Sequence, residues 1–280
     1  MGQDDRVELV IRRARPSDKR GVREAVKTIW NGGDRVPALF DAWVTGRTGP
    51  FFVAEVGGRV VGMGKLTKIT PREAWLEGGR VAPRYRRRGI ATALIAHRIA
   101  FARDRGFAVI RFSTASDNTP IHKAARRFGF RRAAHLWRHE APALAGAVPR
   151  KATRVDAEAV RQALGSFIQI RPSWEWRDLT IADVRSATER GRVFVAGDPL
   201  GAAAIVGSAR DPRGSLPIVA IGGRGAVLRE LLLSLRALAA RRRLRTVSFY
   251  VSDRAERVAA ERTGFHPPWS EQAFLFERRL

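Results

Sequence analysis

The sequence predicts an α/β fold built twice. Three observations carry this. Segments recur about 135 to 142 positions apart, each copy alternates short apolar strands with amphipathic helices, and 280 residues suit two compact domains better than one. IRRARPSDKRGVREAV (11–26) parallels PRKATRVDAEAVRQAL (149–164); each predicts a short strand, a cap at Ser17 or Thr153, and an amphipathic helix. FFVAEVGGRVVGMGKL (51–66) parallels VFVAGDPLGAAAIVG (193–207), two hairpins. GIATALIAHRIAFARDRGF (89–107) parallels GAVLRELLLSLRALAARRRL (225–244), two long helices with apolar stripes. SDNTPIHKAARRFGF (116–130) parallels SDRAERVAAERTGF (252–265), each a loop and a helix closed by a glycine. Each copy ends in an alternating strand, HLWRHE (135–140) and AFLFER (273–278). APALAGAVPR (141–150) lacks periodicity and carries proline, so the linker is placed there, between domains 1–145 and 146–280.

Composition narrows the function. The chain has no Cys, which excludes disulfides, thiolate metal sites and a cysteine nucleophile. The stretch MGQDDRVELV has no secretory pattern and no apolar run spans a bilayer, so a cytoplasmic protein without membrane partners is expected. The formal charge is +25, and 46 of the 52 basic residues are Arg. Such a field attracts polyanions, either phosphorylated small molecules or nucleic acid. The arginines are scattered along the chain, with local clusters at 84–88 and 241–243, which equally fits a compositional bias.

The sharpest local signal is RVAPRYRRRGIAT, Arg80–Thr92. A strand containing Ala74, Trp75, Leu76 and Glu77 leads into a loop with Arg84, Arg86, Arg87 and Arg88, and a helix opens at Gly89. Four like charges in one short loop repel one another unless an anion sits among them. Gly89 lets that anion approach the backbone, and the free N–H groups of the helix start point at it. The arrangement predicts a pyrophosphate site. In the second copy, IVAIGGRGAV (218–227) keeps only Gly222, Gly223 and Arg224 at this point. The second copy is therefore expected to be structural.

These residues resemble the GCN5-related N-acetyltransferase (GNAT) superfamily. Its acetyl-CoA signature R/Q-x-x-G-x-G/A stands here as Arg86-Arg87-Arg88-Gly89-Ile90-Ala91, preceded by GGRVAP and followed by Asn118 and Gly129-Phe130. Within the superfamily, GRVVG, AWLEGGRVAP and VPALFDAWV (36–44) look most like the group of histidine and small-molecule N-acetyltransferases. The resemblance implies two tandem GNAT folds, each a mixed, mostly antiparallel central sheet flanked by helices, the first catalytic and the second degenerate. It further implies acetyl-CoA as co-substrate, with its pyrophosphate on the backbone from Arg86 to Thr92 (Arg86, Arg87, Arg88, Gly89, Ile90, Ala91, Thr92). Its pantetheine arm would lie along Arg80, Val81 and Ala82, and Asn118 would touch the arm or cap a turn. The Gly78-Gly79 pair would mark a bulge that admits the thioester.

By the same resemblance, Glu77 is the candidate general base or an acceptor-binding carboxylate, and the Val81 N–H the oxyanion donor. The family's usual acid, a Tyr, is replaced by Ala125; His122, one turn earlier, is the candidate substitute or a packing residue. Without Cys, direct transfer to an amine in a ternary complex is the route left. Trp30, Phe40, Trp43, His135, Trp137 and His139 are candidate acceptor walls, with core packing as the alternative for the aromatics; Trp174 and Trp176, which open the second copy, are candidates to border the cleft. His135 and His139 share a strand face without a third ligand nearby, so no metal is expected. The resemblance implies a small amine or amino acid as the acceptor. The alternatives are a macromolecular amine, such as aminoacyl-tRNA or a protein, and a non-catalytic binding scaffold.

Overall fold

A computed structural model describes residues 8–170, 174–208, 214–268 and 272–280. Residues 1–7 of the amino-terminal stretch and Pro172 and Ser173 of the PSWEWRDL segment lie outside them. Chain contacts define two compact units. Unit 1 contains the described residues through Phe112, then Pro120–Arg131 and Phe276–Leu280; unit 2 contains Ser113–Thr119 and the described part of Arg132–Leu275. Each unit is a mixed, mostly antiparallel sheet flanked by helices.

In unit 1, β1 (Leu9–Arg13) is followed by α1 (Lys19–Val26), α2 (Val36–Thr45), β2 (Phe51–Val56), β3 (Arg59–Lys68), β4 (Glu73–Val81), α3 (Ile90–Asp104), the start of β5 (Val109–Ala115), and α4 (Thr119–Arg127). Strands β1 to β4 pair antiparallel in chain order, and β4 pairs parallel with β5. The alternation in FFVAEV decides the layers. Phe51 and Val53 face α1 and α2 with Val22, Val26 and Phe40; Phe52 and Ala54 face α3 with Ile90 and Leu94. Each of the buried Phe, Val, Ile and Leu side chains contributes about 1.5–3 kcal/mol, which is why helices cover both faces. The β2–β3 turn is Gly57-Gly58, both at positive φ, as a two-residue hairpin requires.

The cap expected at Ser17 is supplied instead by Asp18. Its buried carboxylate accepts from the Arg15 N–H at 2.7 Å and from both terminal nitrogens of Arg12 at 2.8 Å. A carboxylate with that many donors outcompetes a hydroxyl, and the Arg12 guanidinium holds its pKa below the usual range.

Unit 2 opens with most of β6 (Arg131–Pro142), then β7 (Arg150–Lys151), α5 (Ala157–Ala163), β8 (Phe167–Gln169), β9 (Trp176–Asp178), α6 (Ile181–Glu189), β10 (Val193–Ala196), β11 (Ala202–Val206), β12 (Ser215–Gly223), α7 (Gly225–Arg241), β13 (Thr246–Val251), α8 (Arg254–Arg262) and the start of β14 (Gln272–Arg279). The order β14-β6-β13-β12-β11-β10-β7 is antiparallel where its register is described, except for the β12–β13 pair. Leu228, Leu231, Leu232, Leu235 and Leu238 carry the α7 stripe into the core. The linker assigned to 141–150 is shorter than expected: Ala141 and Pro142 pair with Val247 and Thr246, and Arg150 already belongs to β7. Proline is tolerated there because it ends the strand. The small β8–β9 hairpin has no counterpart in the first half.

The last strand serves both units. Gln272–Leu275 belong to unit 2, and Phe276–Leu280 to unit 1, where the Leu280 N–H donates to Ala108 O at 3.0 Å. In unit 1 the buried Arg111 bridges Glu73 and Glu277, each at 2.6 Å, and Arg131 adds a bond to Glu277 at 2.7 Å.

Candidate active site

The site in unit 1 begins with a register fault. Met63 pairs with Arg80 and Lys65 with Glu77, so Gly64 alone opposes Gly78 and Gly79. This is a β-bulge, at the position the Gly-Gly pair predicts. Gly78 has φ +63, and a Cβ there would lie 2.6 Å from the Trp43 ring, so only glycine fits. On the other side of the strand pair, β4 stays with β5 only through Glu73, Ala74 and Trp75. From Leu76 to Val81 it keeps β3 as its only strand partner among the described residues.

That loss of pairing exposes one edge of β4. The Ala82 N–H is committed to Val61 O at 2.8 Å, so Ala82 cannot offer it to a ligand, contrary to its assignment to the pantetheine arm. By strand alternation the N–H and C=O of Val81 then face the unpaired edge. Val81 O takes one long bond from Arg86 Nε, 3.4 Å. The side chain of Arg80 is engaged away from that edge. Its Nε donates to the buried Asp34 at 2.5 Å and its guanidinium lies 4.4 Å over Trp30, so its side chain belongs to the helix side of the bulge.

Beyond Ala82 the chain makes a 3₁₀ turn at Pro83–Tyr85 and enters α3 through Gly89 in the left-handed region, φ +77. Arg87 is also left-handed, φ +63. The N–H groups of Arg87, Arg88, Gly89, Ile90, Ala91 and Thr92 meet no backbone acceptor outside α3 itself among the described residues, where the first turn cannot satisfy them. Arg84, Arg86, Arg87 and Arg88 are exposed and form no ion pair among the described residues, while Arg84 and Arg88 flank the Tyr85 ring at 5.8 and 5.3 Å. Free donors and unpaired cations at one helix start fit a pyrophosphate.

Glu77 is half-buried on β4. Its Oε1 accepts from the hydroxyl of the fully buried Thr67, while Oε2 has no partner among the described residues. One oxygen is thus oriented and the other is left to accept a proton. Beneath the bulge lies Arg98 of α3, 5 % exposed. It donates to Leu94 O at 3.1 Å, Lys65 O at 3.3 Å and Glu77 O at 3.4 Å, without a carboxylate, and burial pulls its pKa down to about 10. A Cβ on Gly64 would lie 2.7 Å from its guanidinium. Thr67, Asp34 and Arg98 were not singled out in the sequence. Register could have exposed Thr67, because Lys65 pairs with Glu77 and Thr67 sits two residues along on the same face.

The remaining expected residues are dispersed. His122 on α4 packs on Phe276, 5.5 Å between centroids, and Ala125 is buried beside it in the helix. Asn118 belongs to unit 2, where its Nδ2 donates to Thr114 at 2.9 Å, a turn-forming bond. Phe40 is fully buried core, whereas Trp30 is 65 % exposed and Trp43 meets Phe51 edge-on. In unit 2, His135 bonds Gln272 at 2.8 Å and lies 3.8 Å from Trp137; His139 is buried beside Phe249; burial lowers the pKa of both histidines. Trp174 O accepts from Ser113, and Trp176 is buried against Tyr250.

Among the described residues, no helix is long and apolar enough to cross a membrane. Residues 21–130 match the model of the acetyltransferase (GNAT) family. Three solved structures are similar over almost the whole chain. A putative acetyltransferase from Thermoplasma acidophilum has 17% identity and TM-score 0.61, covering 97% of this chain and 100% of that one. A GCN5-related N-acetyltransferase from Sphaerobacter thermophilus has 17% identity and TM-score 0.64, covering 97% and 95%. The glucosamine N-acetyltransferase region of a fungal multi-domain β-N-acetylglucosaminidase has 14% identity and TM-score 0.62, covering 98% of this chain and 38% of that one. The chain thus has the GNAT fold, and its residues 21–130 are similar to the acetyltransferase (GNAT) family.

Proposed function

We propose that the chain is an acetyl-CoA-dependent N-acetyltransferase that acts from unit 1 on the primary amine of a small molecule or amino acid. The observation that carries this is the conjunction on β4: a bulge, an unpaired edge, and an arginine loop feeding free N–H groups into α3. The Val81 edge pairs with the amides of the cofactor arm, and the Arg86–Thr92 backbone holds its phosphates. Oε2 of Glu77 takes a proton from the acceptor ammonium, and the neutral nitrogen attacks the thioester carbonyl. The C–S bond breaks as the amide forms, the thiolate leaves with the electron pair, and the proton lost from the attacking nitrogen passes to solvent. The Val81 N–H donates to the carbonyl oxygen as its charge develops. His122 is the candidate to return a proton to the sulfur.

Counting two residues beyond the last parallel pair reaches Glu77 in unit 1 and Val219 in unit 2. Unit 2 lacks the carboxylate, which supports catalysis in unit 1 alone. Trp30, Trp43 and the Asp34–Arg80 pair crowd the helix side of the bulge, a lining suited to a small amine. A macromolecular amine is the second reading, carried by the net charge of +25.

Titration of acetyl-CoA into the full chain by calorimetry tests the assignment. The expected result is saturable binding that Gly89→Trp abolishes and Arg86→Glu weakens about tenfold, the scale of one charge-assisted phosphate contact. Unchanged affinity in both variants would remove the cofactor site from unit 1. An amine screen for free CoA release then identifies the acceptor; release that requires added RNA would favour the macromolecular reading.

A further inference from the structure

One buried charge in unit 1 has no part in the chemistry proposed above. Arg98 of α3 lies beneath the bulge and meets no carboxylate among the described residues. Burying a guanidinium without a counter-charge is unfavourable, and an apolar side chain of similar size is often at least as stable in such a place. With its pKa at about 10, it stays protonated at neutral pH. Three backbone carbonyls share the charge. Nε donates to Leu94 O of its own helix, and a single nitrogen, Nη1, donates to both Lys65 O on β3 and Glu77 O on β4. Lys65 and Glu77 are register partners and bound one side of the fault.

At the fault itself the strands have little else to fix their register. Gly64 opposes Gly78 and Gly79, and three glycines offer no side chains to pack. Glycine-rich pairs are prone to slip, and a slip of one residue turns the strand over. Here it would swing Val81 from the free edge toward β3. The guanidinium fills the space the glycines leave: a Cβ on Gly64 would lie 2.7 Å from its Cζ, and a Cβ on Gly79 3.7 Å from its Nη2. Unit 2 meets the same need with side chains. Its fault leaves Val219 unopposed, and the flanking Ile205, Val206, Ile218 and Ala220 are all buried. The repeat places Ser234 where unit 1 has Arg98, and its hydroxyl donates to Leu231 O of its own helix. A register fixed by packing needs no cation.

We propose that Arg98 is a positioning residue for the transfer. Its bridge between Lys65 O and Glu77 O locks the β3–β4 register at the fault, and so holds the Glu77 carboxylate and the Val81 edge in their working places. The positioning role rests on the acetyl-transfer reading of unit 1; the lock itself does not.

The test compares the parent with Arg98→Met, Gly64→Ala and the double variant. Arg98→Met removes the bridge and keeps an apolar side chain. Gly64→Ala keeps Arg98 but drives its guanidinium aside. Hydrogen exchange read by mass spectrometry over residues 59–81 should rise at least about tenfold in both single variants, with residues 225–241 unchanged. The unfolding midpoint of Arg98→Met should not fall below the parent, as expected where a lone buried charge is removed. Turnover, read as CoA released in the presence of the amine found by the screen, should fall about 10²-fold in each single variant, the cost of misplacing reacting groups by about 1 Å. The KM for acetyl-CoA should stay within about threefold. The double variant should be no slower than Arg98→Met, because Gly64→Ala then has no guanidinium to displace. Parent-like exchange over 59–81 in Arg98→Met would overturn the lock. Parent-like turnover beside raised exchange would overturn the positioning role, as would an equal cost of Gly64→Ala in both backgrounds. So would a lowered midpoint with exchange rising across all of unit 1, the mark of an ordinary core residue. Absence of amine-dependent CoA release in the parent would instead refute the acetyl-transfer reading, and exchange would still decide the lock.

Discussion

Helices α3 and α7 start at equivalent points of the repeat, and their starts are built differently. Before α3 the chain spends a 3₁₀ turn and four arginines. Before α7 it passes from Gly222-Gly223 through Arg224 into Gly225. In unit 1 the positive charge belongs to the loop; in unit 2 it belongs to the helices that face the same kind of helix start. The strands before them also share a plan, with a short parallel pairing and then a free edge, but β8 packs on the free edge of β12. The lesson is that a fold can keep its strand divergence while the chemistry around it moves. Loss of a motif from a loop is not loss of the field that the motif created.

The comparison would break most sharply at Glu77. Glu77→Gln should lower turnover about 10²–10⁴-fold, the usual contribution of a positioned base, and leave acetyl-CoA affinity within about twofold. Turnover above half of the parent value would show that the carboxylate does not move protons, and that Val219 in its place would cost unit 2 nothing.

Glu256 sharpens the contrast from the other side. It helps line a small cavity of unit 2, and burial with the neighbouring Asp253 pushes its pKa up to about 7. A carboxyl with a folded-state pKa above its unfolded value of about 4.5 contributes stability when protonated. That contribution is complete below about pH 4.5 and is lost as pH rises through 7. Glu256→Gln should therefore remove the decline between pH 5 and 8 and leave the variant more stable at pH 8, by an amount on the order of 3 kcal/mol. Denaturant unfolding at the two pH values measures it; equal slopes in parent and variant would show that Glu256 is solvated.

The smallest expected effect is at His122. It packs on Phe276, and a CoA thiol, with a pKa near that of other thiols, leaves tolerably as thiolate. His122→Ala should cost less than about tenfold in turnover. A loss beyond a hundredfold with acetyl-CoA binding intact would make this imidazole the acid that Ala125 cannot be.

Much of this was legible in the residues because it is local. The hairpin glycines, the helix stripes, the arginine loop and the Gly78-Gly79 bulge each depend on neighbours in sequence. What was not legible depends on register or depth. Thr67 meets Glu77 only because the bulge sets the β3–β4 register. Arg98 looks like a surface residue of α3, since nothing in IAHRIAF shows that Gly64 makes room for a guanidinium beneath the strands. Arg229, Arg254 and Arg262 are separated along the chain and meet only when α7 and α8 pack. The placement of β14 is a further non-local fact: its alternation predicts a strand, but not which residues it lies beside.

That strand has a consequence for how the molecule is made. Phe276–Leu280 complete the sheet of unit 1, and Glu277 supplies one of the two carboxylates that neutralise buried Arg111. Arg111 is therefore fully matched only once Glu277, 166 positions later in the sequence, has joined the sheet. Expression of residues 1–145 alone would take the Glu277 carboxylate from Arg111, a loss on the scale of several kcal/mol for a broken buried pair. The half that carries the proposed chemistry thus leans on a strand far from it in sequence, and truncation before Phe276 would destabilise it without touching the residues around its acetyl-CoA groove.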